Sequence, residues 1–151
     1  TFEKLKNIFN LGSINTAKKF VGYIEEAFLA FSVERFSNSM SEVVRAPRKL
    51  YVVDHALSQQ ISNNPLQDKG AIYENIVYLQ LERACPADEK IYYWEDYKGR
   101  EVDFIIKKGR NAIKAIQVSY ALNERKDEEV SILVKAIKEL ALSEGTIITS
   151  E

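Results

Sequence analysis

Three short apolar segments separated only by tight turns constrain the fold of this chain most strongly. They read KIYYWED (90–96), REVDFIIKK (100–108) and IKAIQVSY (113–120). Apolar and β-branched residues in short runs, bounded by Gly99 and Gly109, predict consecutive antiparallel strands. Residues 71–84 are apolar nearly all round a helix, which predicts a buried helix packed across these strands. The sequence therefore predicts a mixed α/β fold (α+β), with a central mixed sheet flanked by helices.

The first 37 residues have the pattern of a helix-turn-helix. Apolar residues recur at helical spacing on both sides of Gly12, and the hydroxyl of Ser13 is suited to cap the second helix. The segment FSVERFS (31–37) then fits the strand of a wing. We therefore assign residues 1–37 to a partial winged helix-turn-helix segment, the polar stretch 38–48 to a linker, and residues 49–151 to the principal domain.

The front of the second predicted helix is a candidate nucleic-acid interface. Residues 1–50 contain eight Lys and Arg against five acids, whereas the remainder contains thirteen against seventeen. In a helix-turn-helix the second helix enters the DNA groove with its front residues leading. The candidate contact residues are Ser13, Asn15, Thr16, Lys18 and Lys19. Two interpretations are open for this face: contact with phosphate, or packing against a domain that precedes it.

Composition excludes several classes of protein. A net charge of −1 argues against a protein that coats nucleic acid by bulk charge. No apolar run approaches the roughly 18 residues of a membrane helix, and the charged start does not look like a signal peptide. Cys85 is the sole cysteine, so no disulfide framework or thiolate metal cluster is expected. No Walker-type phosphate loop occurs, so we expect no ATP site here. We expect a cytoplasmic protein that does not contact membranes.

Polar residues interrupt two of the predicted strands where a core would take apolar ones. If the turn places Lys107 opposite Ile113, the alternation of side chains puts one polar set on a common face, with opposed positions about 5 Å apart. These residues are Glu101, Asp103, Gln117 and Ser119.

Such a polar face has two interpretations. Carboxylate oxygens are the ligands that Mg²⁺ or Mn²⁺ prefers. Glu74, an acid in an otherwise apolar helix, is the natural partner of Asp103 if that helix packs on this face. The same residues could instead form a buried hydrogen-bond network that fixes strand register without a metal. The sequence leaves both open.

The order and spacing of these motifs resemble the restriction-endonuclease-like, or PD-(D/E)xK, superfamily. The resemblance is specifically to the C-terminal domain attached to many archaeal and bacterial AAA-type ATPases. KGAIYENIVYLQL (69–81) resembles the Glu-bearing helix, and EVDFII (101–106) and IQVSY (116–120) resemble the two motif strands. RKLYVVDHAL (48–57) resembles the junction, and residues 4–37 the winged-helix segment. The resemblance implies that residues 49–151 form the nuclease-like domain, with an ATPase motor domain as partner.

The resemblance also implies a catalytic site in a degenerate form. Glu74 and Asp103 match two acids of the motif and are the candidate ligands for Mg²⁺ or Mn²⁺. Gln117 stands where the second strand acid belongs, and Ser119 where the lysine belongs. A neutral amide weakens the field on a cation, and Ser119 supplies no positive charge. Two functions are therefore open: a non-catalytic DNA- or partner-recognition module of an ATPase, or a weak or substrate-restricted Mg²⁺- or Mn²⁺-dependent DNA endonuclease.

Overall fold

A computed structural model describes residues 1–56, 69–120 and 122–150, and it contains a six-stranded mixed sheet flanked by helices. The helices are α1 (Phe2–Ile8), α2 (Ile14–Glu26), α3 (Met40–Arg45), α4 (Lys69–Ala84) and α5 (Leu122–Glu139). The strands are β1 (Ala30–Arg35), β2 (Lys49–Val52), β3 (Glu89–Glu95), β4 (Glu101–Lys108), β5 (Asn111–Ser119) and β6 (Thr146–Thr149). Their order in the sheet is β2-β1-β3-β4-β5-β6. The predicted fold class is confirmed.

Strands β3, β4 and β5 form the predicted antiparallel succession. Gly99 and Gly109 lie in the two connecting turns with φ values of 76° and 59°. These left-handed conformations strain residues that carry a Cβ atom, which explains why glycine marks both turns.

The register of β4 and β5 follows the prediction in its central part only. Phe104 lies opposite Ile116, as the sequence analysis requires. A bulge after Ile106 shifts the pairing towards the turn, so that Lys107 lies opposite Ala112 instead of Ile113. The extra residue on β5 is accommodated next to the turn, where the ladder is least constrained.

Strand β1 is part of the central sheet. It pairs antiparallel with β2 and parallel with β3, so this strand does not form the wing that we expected. Ala30 and Val33 are each 2% exposed, because they pack against the interior of the fold. Ser13 caps α2 as predicted, with its hydroxyl oxygen accepting from the Thr16 N–H at 3.1 Å. The short helix α3 lies within the stretch assigned to a linker. The domain boundaries stay a prediction.

The core has two layers, one on each face of the sheet. On the face covered by α4 the buried residues are Val33, Tyr51, Tyr78, Tyr93, Phe104, Ile106 and Ile116. On the face covered by α5 they are Trp94, Val102, Ile105, Ala115, Ile132, Leu133 and Ala136. Each helix therefore shields one face of the strands that carry the polar motif.

Helix α4 is less buried than its composition suggests. Only Asn75 and Tyr78 are fully buried, and Ile76 is 40% exposed. The helix covers one face of the sheet, so its outer side meets solvent. The segment HALSQQI (55–61) predicts a short helix, and most of it lies outside the described residues. No described helix combines the length and the apolar composition needed to span a membrane.

Candidate functional site

A lysine ammonium lies among three carboxylates on the α4 side of the sheet. Lys49, the first residue of β2, places its Nζ 3.1 Å from Glu74 Oε1, 3.0 Å from Glu101 Oε2 and 3.0 Å from Asp103 Oδ1. An ammonium carries three protons and can donate one to each carboxylate. The side chains of Lys49 and Asp103 are 19% and 10% exposed. The sequence analysis found the three acids but missed the lysine.

A bulge in β4 places Asp103 at this site. β4 carries one more residue than β3 between two of their cross-strand pairs, so that Asp103 and Phe104 together lie opposite one residue. Both can then face α4: Phe104 packs in the core on that side, and Asp103 reaches Lys49. The pairs that flank the bulge are Tyr92 with Ile105 and Trp94 with Val102.

The second oxygen of Asp103 ties β4 to β5. Asp103 Oδ2 accepts a hydrogen bond from the Val118 N–H at 2.9 Å. Burial raises the pKa of Asp103 to about 6, and nearby Glu74 acts in the same direction, whereas Lys49 and the Val118 N–H oppose the rise. Burial by itself would lower the pKa of Lys49, but Asp103, Glu74 and Glu101 together raise that pKa above its ordinary value. The lysine is therefore held firmly in its charged form.

Aromatic side chains hold Glu74 and Lys49 in place. The Tyr51 hydroxyl donates to Glu74 Oε1 at 2.5 Å. The Tyr51 ring is stacked on Tyr78, with 4.3 Å between ring centroids. Lys49 Nζ lies 5.6 Å from the centroid of the Tyr93 ring. Burial, with a contribution from Glu74, raises the pKa of Tyr51 far above its ordinary value, so its hydroxyl remains a donor.

Asn75 fixes α4 against β2. Its Nδ2 donates to the Val52 carbonyl at 3.0 Å, and its Oδ1 accepts from the Val52 N–H at 2.8 Å. The side-chain amide therefore pairs with the outer edge of β2 as a neighbouring strand would. Because Glu74 precedes Asn75, this contact sets the acid beside Lys49. A cleft of about 520 Å³ reaches the cluster, and Lys49, Glu74 and Glu101 contribute to its wall.

Gln117 and Ser119 lie on the opposite face of the sheet from the cluster. Ile116 and Val118 pack in the core on the α4 side, so alternation along β5 directs Gln117 and Ser119 to the α5 side. Strand β5 keeps a regular register with β6 from Ile116 to Ser119, and no bulge reverses this alternation. Gln117 Oε1 is buried without a hydrogen-bond partner in the described part of the chain, and Ser119 is 4% exposed.

The cluster does not fit a divalent cation as it stands. Within the described ranges, no group of three or more His, Cys, Asp or Glu side chains is arranged to hold a metal ion. Mg²⁺ requires oxygen ligands at about 2.0–2.1 Å, whereas the carboxylate oxygens surround Lys49 Nζ at 3.0–3.1 Å. Glu74 and Asp103, the predicted metal ligands, are therefore brought together, but by an ammonium.

The predicted nucleic-acid contacts lie at the start of α2. Asn15, Lys18 and Lys19 are exposed, whereas Ser13 and Thr16 are half-buried and bonded to each other. The ammonium of Lys18 lies 5.7 Å from the centroid of the Phe2 ring in α1. Three of the five predicted contact residues are therefore exposed, whereas Ser13 and Thr16 form the cap of α2.

Comparisons with known proteins place the domain in a family. The uncharacterized protein MJ1544 of Methanocaldococcus jannaschii is 36% identical over 124 residues, which make up 82% of this chain and 27% of that relative. The chain thus spans about a quarter of the length of the curated relative it matches. No solved structure matches the chain significantly. The family described as "Domain of unknown function (DUF4143)" matches residues 69–151, which are more than half of the chain and include α4, β3, β4, β5, α5 and β6. The chain belongs to the DUF4143 family.

Proposed function

We propose that this chain is the C-terminal accessory region of an AAA-type ATPase and recognises DNA or a protein partner on a restriction-endonuclease-like fold that does not cleave. One observation carries the proposal: the Lys49 ammonium is held by Glu74, Glu101 and Asp103 at 3.0–3.1 Å. In the nucleases that the sequence resembles, acids of this kind hold a metal ion. Here a side chain of the protein supplies the cation.

The charge and burial of Lys49 support a permanent role for it. A metal ion could reach all three carboxylates only after the ammonium had left a site where its side chain is 19% exposed. Leaving would break the hydrogen bonds to Glu74 and Asp103 and the ion pair with Glu101. Charge-assisted hydrogen bonds are about twice as strong as neutral ones. Gln117 and Ser119 lie on the α5 side, so neither adds charge to this cluster.

The weak endonuclease remains the second candidate, and one observation favours it. Glu101 is 40% exposed and lines the 520 Å³ cleft together with Glu74. Solvent cations thus have a path to two of the three carboxylates. For cleavage, a cation entering by this path would have to compete with Lys49.

Exposed aromatic side chains on or just after the first two helices support a role in partner recognition. They are Phe9 (66% exposed), Phe20 (52%), Tyr23 (60%) and Phe28 (71%). Phe20 and Tyr23 are neighbours, with 6.4 Å between ring centroids, and adjoining exposed apolar groups commonly mark a protein–protein interface. The aligned region makes up 27% of the matched relative, so most of that relative lies outside it. We propose the ATPase motor domain as that partner.

A digestion assay tests the non-catalytic proposal. Supercoiled plasmid and labelled duplex oligonucleotides are incubated with the protein and an excess of Mn²⁺ or Mg²⁺ in separate reactions. We expect the same background cleavage from the parent protein and from Asp103→Asn. Metal-dependent cleavage by the parent that disappears in Asp103→Asn would show an active nuclease and refute the proposal.

A further inference from the structure

The turn end of the β3, β4 and β5 sheet carries a cluster of basic side chains. We call this cluster the basic tip, and it consists of Lys90, Lys107, Lys108, Arg110 and Lys114. Lys107, Lys108, Arg110 and Lys114 come from the β4–β5 hairpin, and Lys90 comes from the adjacent part of β3. All are exposed except Lys107, which is partly buried. The basic tip lies on different elements from the predicted contacts at the start of α2.

Two like charges face each other within the basic tip. Lys90 and Lys107 are directly opposed across β3 and β4, an arrangement that destabilises an antiparallel pair. The ammonium of Lys107 lies 5.4 Å from the centroid of the Tyr92 ring and 5.9 Å from that of Phe36. Aromatic rings thus hold Lys107 beside a second cation, and an anion bound between them would relieve the repulsion.

Most of the basic tip lacks an acidic partner. Lys108 forms ion pairs with Asp88 at 2.9 Å and Glu89 at 3.6 Å. For the other four side chains, no carboxylate of the described residues lies within 4.0 Å of the charged nitrogen atoms. The surface therefore carries excess positive charge on a protein whose net charge is −1.

The geometry of the basic tip indicates the shape of the anion. Lys107 lies on the α5 side, because Tyr92 and Phe36 belong to that layer. Lys114 lies opposite Ile106, whose side chain belongs to the α4 layer, so Lys114 is on the other face. A single phosphate or a flat membrane would be met from one face only. The sheet is three-stranded up to Lys108, and only the turn at Gly109 and Arg110 projects beyond β3. A DNA duplex carries phosphates along both of its strands, so it can offer phosphates to charges on both faces of this sheet end.

We propose that the basic tip contacts the backbone phosphates of double-stranded DNA. This inference rests on the proposed recognition function, for which it names a surface and a ligand. Phosphate contacts of this kind position a protein on DNA without reading sequence. The turn at Gly109 would enter the groove, with Arg110 leading. Affinity should then depend steeply on salt, because each neutralised phosphate releases a counterion.

Fluorescence anisotropy of a labelled duplex, measured across a series of salt concentrations, tests this proposal. The triple variant Lys90→Glu, Arg110→Glu, Lys114→Glu should bind about tenfold more weakly or worse, with a salt slope lower by about 2–3, since each lost contact removes about 1. The neutral variant with Gln at the same positions should show a smaller loss in the same direction. Circular dichroism melts confirm that both variants fold.

A matched control carries three charge reversals at exposed residues away from the basic tip: Arg45→Glu, Lys98→Glu and Lys138→Glu. We expect it to keep the parental salt slope. A separate variant, Lys18→Glu with Lys19→Glu, tests the start of α2. If that variant loses binding while the basic-tip variant keeps it, the present proposal is overturned in favour of the helix-turn-helix interpretation. If the parent binds no duplex, or binds anionic vesicles instead, the proposal and the DNA part of the proposed function both fail, while recognition of a protein partner stands.

Discussion

Replacing Lys49 with Met is expected to lower the free energy of unfolding by about 3–5 kcal/mol at pH 7, the range found when one member of a buried ion pair is removed. Met has a similar length and keeps the apolar contacts of the lysine stem, so the loss reports on the charge. Without the ammonium, Glu74, Glu101 and Asp103 face one another with no cation between them. Urea denaturation of parent and variant measures the difference.

The pH dependence of this loss identifies its cause. The pKa of Asp103 is raised in the folded state to about 6, so this group favours folding below its unfolded pKa of about 3.9 and loses that contribution as pH rises through 6. In Lys49→Met the carboxyl groups repel only when ionised, so the deficit should shrink towards pH 4. Lys108→Met, which removes an ion pair whose side chains are 51% and 61% exposed, is the control, and it should cost less than about 1 kcal/mol. An equal deficit at pH 4 and pH 7 would contradict this account.

Asp96→Asn is expected to be the second strongly destabilising change, with a loss of about 3 kcal/mol. Asp96 closes the β3–β4 turn: Oδ1 accepts from the N–H groups of Lys98 at 2.8 Å and Arg100 at 3.0 Å. Its Oδ2 accepts from Arg100 Nε at 2.9 Å and from Lys135 Nζ of α5 at 3.0 Å. The side chain is 1% exposed. An amide there would present a donor to cations that need an acceptor.

Thermal and urea unfolding of Asp96→Asn check this prediction. Burial would raise the pKa of Asp96, but the Arg100 N–H, Lys135 and the other donors outweigh it and hold the pKa well below the ordinary value. The stabilisation by Asp96 is therefore complete above the unfolded pKa of about 3.9 and is lost as pH falls below it. Asp88→Asn, an exposed carboxylate paired with Lys108, is the matched control and should stay near the parent. An Asp96→Asn variant as stable as the parent at pH 7 would refute the role of this turn.

Local sequence patterns predicted most of the secondary structure. They did not predict how strands that are far apart in the sequence pair with each other. The strands from 89 to 119 are joined by turns whose glycines are visible in the sequence, so both their order and their central register could be predicted. Strand β1 pairs with β3, which is distant in the chain, and the sequence of β1 fits a wing equally well. Helix α4 looked buried all round because composition does not show which side lacks a neighbour.

The site was predicted in part, for similar reasons. An acid in an apolar helix and an acid in an apolar strand are conspicuous, and Glu74 and Asp103 do meet at one ammonium. Lys49 was missed because a lysine at the start of an edge strand is ordinarily a solvent-exposed residue. The bulge that turns Asp103 towards α4 cannot be seen in the pattern of apolar residues. The prediction therefore assumed regular alternation of side chains along β4, which placed Asp103 on the same face as Gln117 and Ser119.

Calorimetric titration with Mn²⁺ tests most directly whether Lys49 takes the place of a metal ion. We expect no binding heat from the parent protein, because the ammonium already engages all three carboxylates. Lys49→Met should bind Mn²⁺, since three carboxylate ligands suit a hard cation, and adding Asp103→Asn to that variant should abolish the heat. Mn²⁺ should also restore part of the stability of Lys49→Met by binding only its folded form. Stoichiometric Mn²⁺ binding by the parent, lost on Asp103→Asn, would show that the ammonium yields to a metal and would contradict the account.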